Sequence, residues 1–477
     1  MKDENAERET ALSRREVLAG LAAGAALAGC GVRGPRSKSR PSVLFISIDD
    51  LNDWVGVLGG HPAAVTPNLD RLAAGGRLFT RAYCSGPNCN ASRSSLLTGL
   101  SPATLGCYHN RTDFRRGRSG LVTLPQHFAA GGWRTVGAGK VFHPRFNDEG
   151  SWQRYHPVPP ETKPQHRPLE RLSGRRDLEE GPDLERLFDF GPTEVPLESM
   201  ADTQLVELAR AELADPDSRP LFLGVGFTKP HLPWYLPRAF FDRVAEAVAE
   251  PPETRPDDLT DVGPLARAYV ESQRVSPDLD RPEVARRAVR AYLAAIRFVD
   301  ERIGHLLEAW QASRHAEGGI VVLWSDHGFH LGEKGHWRKD VVWEEATRVP
   351  LIVTAPDLPQ PGVASPRAVS LLDLYPTLIE LAGLAPRPGL EGLSLGPQLT
   401  DPNAGRERPA VTSWRPGSAA VRSDRYRLIR YADGFEELYD HDGDPREWLN
   451  LAREPSLAEV KRDLARWLPA DGGQTDS

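Results

Sequence analysis

Three short apolar runs in this 477-residue chain stop at polar groups suited to handling charge. Val43-Leu44-Phe45-Ile46-Ser47-Ile48 is followed by Asp49-Asp50, Leu221 to Phe227 by Lys229-Pro230-His231, and Ile320 to Ser325 by Asp326-His327. Ligands of open α/β sheets collect beyond the carboxyl ends of the strands, so these groups are predicted to meet in one site. A fourth segment, Cys89-Asn90-Ala91-Ser92-Arg93, opens a helical pattern. A helix starting near Ser92 turns its free N–H groups and positive dipole end toward an anion, and Arg93 adds a charge-assisted donor. Each piece alone has an ordinary explanation: a buried core thiol, an acidic turn or helix cap, a satisfied structural histidine. Their convergence predicts one shared polar site.

The full stretch Cys89-Asn90-Ala91-Ser92-Arg93-Ser94-Ser95-Leu96-Leu97-Thr98-Gly99 resembles the signature of the sulfatase family, Cys-x-Pro/Ala-Ser-Arg followed four residues later by Leu-Thr-Gly. In that family a separate maturation enzyme oxidises the cysteine to formylglycine, whose hydrated aldehyde is a geminal diol. The resemblance implies that one hydroxyl attacks sulfur and the other expels sulfate as the aldehyde re-forms, where a serine would be trapped as its sulfate ester. Position 91 is Ala where Pro is commoner, which bears on the maturation enzyme that handles the site. Asp49-Asp50 resembles the family's metal-binding aspartate pair, and Ser325-Asp326-His327-Gly328 its second metal segment, with His where many members carry Asn. The implied metal set is Asp49, Asp50, Cys89, Asp326 and His327 around one divalent cation, calcium first, with magnesium or manganese as alternatives. Such an ion polarises a sulfate oxygen and lowers the pKa of the diol.

Further segments resemble the iduronate-2-sulfatase branch: Gly139-Lys140-Val141-Phe142-His143-Pro144, Val225 to Pro233, Asp326 to Glu333 with Trp337-Arg338-Lys339, and Thr347 to Ile352. By that resemblance Lys140 and Lys339 neutralise the bound sulfate. His143 and His231 transfer protons, one as base for sulfate elimination and one as acid or hydrogen-bond donor to the leaving oxygen. Spacing alone does not bring His330, Glu333, Lys334 or His336 into the site. Cys84 and Cys107 either pair or stay free.

The elements that must hold these residues follow an alternating pattern. Continuous β-branched and aromatic runs suit strands buried on both faces. Between two of them lies Pro282 to Trp310, with apolar residues every three or four positions and Pro282-Glu283 at its start, an amphipathic helix. The expected fold is α/β: a mostly parallel sheet flanked by helices, alkaline-phosphatase-like by the family resemblance, with a smaller C-terminal antiparallel α+β domain. Phe146 to Pro196 and Glu250 to Asp280 lack periodicity and are expected as long surface loops. After a helix over Leu371 to Gly383, Ala385-Pro386-Arg387-Pro388-Gly389 marks a boundary between a catalytic domain over 41–384 and a smaller one over 385–477. In the latter, Ala419 to Arg422, Tyr426 to Tyr431 and Glu437 to Tyr439 are expected strands, Asp433-Gly434 a hairpin turn and Leu457 to Trp467 a helix.

Ser13-Arg14-Arg15 before a small, apolar stretch that ends in Leu27-Ala28-Gly29-Cys30 resembles a twin-arginine signal joined to a bacterial lipobox. The implied outcome is a signal peptide over 1–29, acylation of Cys30, a polar tether over 30–40, and an exported protein held to a membrane by lipid alone. Four cysteines are too few for a disulfide scaffold. A formal net charge of −7 argues against nucleic-acid binding driven by a global positive field, so local cations must hold any anionic substrate. The expected activity is hydrolysis of sulfate esters on a saccharide of the iduronate 2-sulfate kind. Two alternatives are a phosphodiesterase or phosphonate monoester hydrolase of the same superfamily, and a non-catalytic binder of sulfated glycans.

Overall fold

Strand β1 (Val43–Ile48) is buried at every residue, and its alternate side chains feed two different cores: Leu44, Ile46 and Ile48 one, Val43 and Phe45 the other. That placement on both faces is what an uninterrupted apolar strand requires. The computed structural model describes residues 40–118, 120–159, 188–275 and 277–470. The described residues from Pro41 onward form one compact unit. The expected signal, the lipidation site Cys30 and all of the tether except Arg40 lie outside the described residues. No helix among the described residues is long and apolar enough to cross a membrane.

In chain order the remaining strands are β2 (Arg77–Tyr83), β3 (Arg134–Gly139), β4 (Arg154–His156), β5 (Phe190–Thr193), β6 (Leu221–Gly226), β7 (Trp234–Pro237), β8 (Ile320–Ser325), β9 (Arg348–Val349), β10 (Leu351–Thr354), β11 (Ser365–Ser370), β12 (Ala410–Arg415), β13 (Ser418–Arg422), β14 (Tyr426–Arg430) and β15 (Glu436–Asp440). The large sheet runs β11-β2-β10-β8-β1-β6-β3-β4, with β9 paired to β2. Strands β8, β1, β6, β3 and β4 are mutually parallel, β10 is antiparallel to both neighbours, and β11 is parallel to β2. The expected mostly parallel α/β sheet is therefore present.

Register brings the four site-bearing strand ends to one edge. Ile48 lies opposite Ser325, Ser47 opposite Gly226, and Gly226 opposite Gly139. A Cβ on Gly226 would stand 2.1 Å from the carbonyl carbon of Lys140, and Gly139 has φ +73°. Only glycines let the chain leaving β3 fold across the end of β6, which is how Lys140 reaches the site.

The long helix Pro282–Ala312 buries Val284, Ala288, Ala291, Phe298, Ile303 and Leu306 against the sheet, with Pro282 at its first turn as expected. Each fully buried Leu, Ile or Phe of that stripe contributes roughly 1.5–3 kcal/mol. Two regions expected as surface loops carry structure instead. Within 146–196, β5 is buried and pairs with β7, because Phe188 and Phe190 pack on Trp234. Within 250–280, helix Pro264–Ser272 buries Ala266 and Val270 against Trp414, Ile429 and Tyr431 of the C-terminal sheet. Neither segment has enough local periodicity to announce itself; tertiary partners supply the apolar surface.

Residues 410–440 form a four-stranded antiparallel sheet, β12-β13-β14-β15, with Gly434 at φ +82° in the expected turn between β14 and β15. Strand β12 was not expected, since Ala-Val-Thr-Ser-Trp-Arg carries little apolar weight apart from the buried Trp414. Helix Ala458–Ala465 covers this sheet through Leu464, which packs with Val421, Leu428 and Leu438.

Candidate active site

The loop after β1 turns at once. Asp50 adopts φ +63°, a conformation Asp tolerates better than most residues, and Tyr292 of the long helix braces it. The Tyr292 hydroxyl donates to the Asp50 carbonyl at 2.7 Å and accepts from the Asn52 N–H at 3.0 Å. After β8, the Asp326 N–H donates to the Ile48 carbonyl and Asp326 Oδ1 accepts from the Asp50 N–H at 3.2 Å. Three carboxylates, Asp49, Asp50 and Asp326, are thereby held together, each at most 1 % exposed.

The helix expected near Ser92 starts three residues earlier, as Cys89–Thr98. Asn88 is the reason: its side-chain oxygen accepts from the Ala91 N–H at 3.2 Å, a typical N-cap. Cys89 is consequently the first helical residue, with Sγ 3.3 Å from His327 Nε2, 3.4 Å from Lys339 Nζ and 3.8 Å from Lys140 Nζ. Arg93, one turn on, is fully buried beneath this point. It donates to Asp326 Oδ2 at 2.9 Å, to Asp49 Oδ1 at 3.3 Å and to Ser47 Oγ at 3.2 Å.

The two lysines pair with different aspartates. Lys140 pairs with Asp49, and Lys339 Nζ lies 2.5 Å from Asp50 Oδ1. His231 enters from the loop after β6; its Nε2 is 4.0 Å from Asp50 Oδ2, and its Nδ1 sits 2.6 Å from the Leu232 carbonyl, fixing the ring. His143 follows Lys140 by three residues, and its Nδ1 accepts from the Arg145 N–H at 3.3 Å. Among the described residues, Asp49, Asp50, Cys89 and His231 form one group whose donor atoms all lie within 4.8 Å of one another, and Asp49, Cys89, Asp326 and His327 form a second. The strand ends, the Cys89 helix and the turn bearing Lys339 thus bring together Asp49, Asp50, Cys89, Arg93, Lys140, His231, Asp326, His327 and Lys339, with His143 three residues beyond Lys140; Cys30 is outside the described chain.

Electrostatics follow from burial among opposed charges. Burial pushes the Asp49 carboxyl up, but Lys140, His231, Arg93 and Lys339 outweigh it and hold Asp49 well below the usual carboxylate range. Burial keeps Asp50 raised, with Lys339 opposing and Asp49 adding to the shift. Burial also pushes the Cys89 thiol well up, despite both lysines, so it is protonated at neutral pH. His143 falls to about 3, through burial and then Lys140, and His231 falls well below its ordinary value through burial, Lys339 and Lys140. Both imidazoles are therefore neutral at neutral pH, their charged forms disfavoured by burial beside the lysines.

Three carboxylates and one imidazole suit a hard divalent cation, so the donor chemistry fits the metal expected from sequence. A protonated thiol is a poor nucleophile, whereas a polar group at the same position would touch the cation site and both lysines. Cys84 and Cys107 are both buried and are not joined to each other, Cys107 Sγ lying 3.2 Å from Asn90 Nδ2, which answers the open question of their pairing. Sequence reasoning missed Tyr292, Asn88 and Ser47. Only the N-cap preference of Asn88 was legible beforehand.

Family and relatives agree with this geometry. The Sulfatase family model matches residues 41–384, and the model described as N-sulphoglucosamine sulphohydrolase, C-terminal, matches 332–471. A sulfatase of Formosa agariphila is 34% identical over 92% of this chain and 88% of its own length. Human iduronate 2-sulfatase is 31% identical over 88% of this chain and 79% of its own. Among solved structures, a phosphonate monoester hydrolase of Agrobacterium radiobacter superposes with a TM-score of 0.72 at 22% identity, covering 90% of this chain and 94% of that one, a likeness of fold.

Proposed function

This chain belongs to the sulfatase family and is a sulfuric ester hydrolase, and from that premise we propose that it is a formylglycine-dependent enzyme acting on sulfated saccharides that carry a 2-sulfated uronic acid. The observation that carries the proposal is Cys89 Sγ, 3.3–3.8 Å from His327, Lys339 and Lys140 beside three buried carboxylates. Oxidised to formylglycine and hydrated, residue 89 supplies one hydroxyl to attack sulfur and a second through which sulfate is expelled. A divalent cation, calcium first, held by Asp49, Asp50, Asp326 and His327, supplies polarisation of a sulfate oxygen and a lower pKa for the diol.

The protein's own side chains do the rest. Lys140 and Lys339 both approach residue 89, so their ammonium groups receive the sulfate oxygens and offset its charge in a site shielded from water. Arg93 fixes Asp49 and Asp326 in one orientation. The neutral rings of His143 and His231 divide two tasks: taking the proton released when sulfate is expelled, and hydrogen-bonding the oxygen of the departing alcohol. Export and lipid attachment through residues 1–40 are part of the same proposal and rest on the sequence pattern.

The test uses matured enzyme. Mass spectrometry of the peptide spanning Cys89 is expected to find the aldehyde, and a 2-sulfated uronic disaccharide is expected to release inorganic sulfate, with none from Cys89→Ala. Full activity in Cys89→Ala, or a higher kcat/KM on phosphate diesters or phosphonate monoesters than on sulfate esters, overturns the proposal.

A further inference from the structure

Lys339 stands on a turn that is built largely from itself. The His330 N–H donates to the Arg338 carbonyl at 2.7 Å, the Gly332 N–H to the His336 carbonyl at 2.9 Å, and the His336 N–H to the Glu333 carbonyl at 3.0 Å. His336 Nε2 lies 2.9 Å from the carbonyl of Lys339 itself, and the Asp340 N–H reaches the Pro87 carbonyl at 2.9 Å, two residues before Cys89. The tip of this turn is Lys334, at φ +51° and only 3 % exposed.

A lysine is costly to bury, so its partners matter. Lys334 Nζ donates to Asp258 Oδ1 at 2.7 Å and to the carbonyl of Glu447 at 2.6 Å, and it faces the rings of Trp343 at 5.3 Å and Tyr439 at 5.5 Å. Asp258 belongs to the segment preceding helix Pro264–Ser272, Tyr439 to β15, and Glu447 to the chain just beyond it. Three parts of the protein remote in sequence converge on one ammonium group. Enclosed in this way, Lys334 cannot touch substrate; what it can do is fix the tip of the turn to the C-terminal sheet.

We propose that Lys334 is a positioning residue for catalysis: it locks the 330–340 turn so that Lys339 is delivered to residue 89 and Asp50, and it makes the C-terminal sheet part of the anion-binding device. The inference rests on the proposed role of Lys339 in holding sulfate. A flexible four-carbon side chain meets an anion reproducibly only when its own backbone is fixed, and Lys334 and His336 are what fix it.

A double-mutant cycle on matured, metal-loaded enzyme tests this, reading kcat/KM on the 2-sulfated uronic disaccharide and the inhibition constant of inorganic sulfate. Lys334→Met is expected to weaken sulfate inhibition and to lower kcat/KM by roughly tenfold each, and Lys334→Met/Lys339→Met is expected to be no worse than Lys339→Met alone, since coupled residues are not additive. Where Lys334→Met does not fold, Asp258→Asn keeps the side-chain volume, removes the charge partner and is expected to show the same non-additivity. Independent, additive losses in the cycle overturn the inference, because a merely structural lysine would lower stability without coupling to Lys339. Unchanged sulfate inhibition in Lys339→Met alone overturns instead the reading of Lys339 on which the inference stands.

Discussion

Arg93 Nε lies 2.9 Å from Asp326 Oδ2, and the same guanidinium reaches Asp49 Oδ1 at 3.3 Å, with all three side chains fully buried. Arg93 spends its donors on the protein's own carboxylates and on backbone carbonyls, so its contribution to an anion is to orient the groups that surround it. Removing one member of a buried ion pair leaves an uncompensated charge. Arg93→Met is expected to lower stability by about 3 kcal/mol and to abolish sulfatase activity, measured by urea denaturation and sulfate release. A variant with unchanged stability and activity contradicts this account.

Tyr292 holds the strained Asp50 turn through its hydroxyl alone, since its ring is packed among Trp54, Trp234 and Phe329. Tyr292→Phe keeps that packing. Groups that support metal ligands typically change affinity 10–100-fold, so about a tenfold weaker calcium affinity is expected by calorimetric titration. Equal affinity in the two proteins shows that Asp50 needs no such brace.

His231 Nε2 faces the Asp50 carboxylate at 4.0 Å, whereas His143 lies close to Lys140. His231 is expected to serve the leaving oxygen. His231→Ala is expected to lose about 10²-fold or more on an alkyl sulfate and far less on nitrophenyl sulfate, whose alcohol departs unaided. His143→Ala is expected to lose similar factors on both. The opposite pattern exchanges the two roles.

Glu333 lies within the site-bearing turn with 14 % of its side chain exposed, and desolvation, with Asp53 adding, pushes its carboxyl up to about 7 from an ordinary 4.5. The folded chain then keeps a proton that the unfolded chain gives up. Stability from this group is complete below about pH 4.5 and is lost as pH rises toward about 7, a change on the order of 3 kcal/mol. Glu333→Gln is expected to flatten the decline in denaturation free energy between pH 4.5 and 7.5. An identical decline in both proteins removes Glu333 as its source.

The site was unusually legible because its chemistry is written in short segments attached to strand ends. Asp49-Asp50, Asp326-His327 and His231 each come just after an apolar run, and a parallel sheet sends all such ends to one edge, whereas Lys140 was legible only through the family resemblance. Tyr292 carried no such mark: a tyrosine on an amphipathic helix looks like core until the hydroxyl's partner, more than 240 residues away in sequence, is known. Lys334 was equally silent, since spacing does not separate a buried clamp from a solvated loop lysine.

Residue types and local periodicity by themselves determined strands β1, β6, β8, β13, β14 and β15 and the long helix, because each depends on interactions between near neighbours in the chain, whereas the roles of the Cys89 segment and of the aspartates were read from resemblance to a family. Tertiary structure alone decided the remainder: the first residue of the Cys89 helix, the buried strand β5, the helix at 264–272, the separation of Cys84 from Cys107, and the clamp on the Lys339 turn. Those outcomes depend on which distant surfaces are available to bury an aromatic ring, pair a charge or accept a hydrogen bond, and a linear pattern carries no record of that availability.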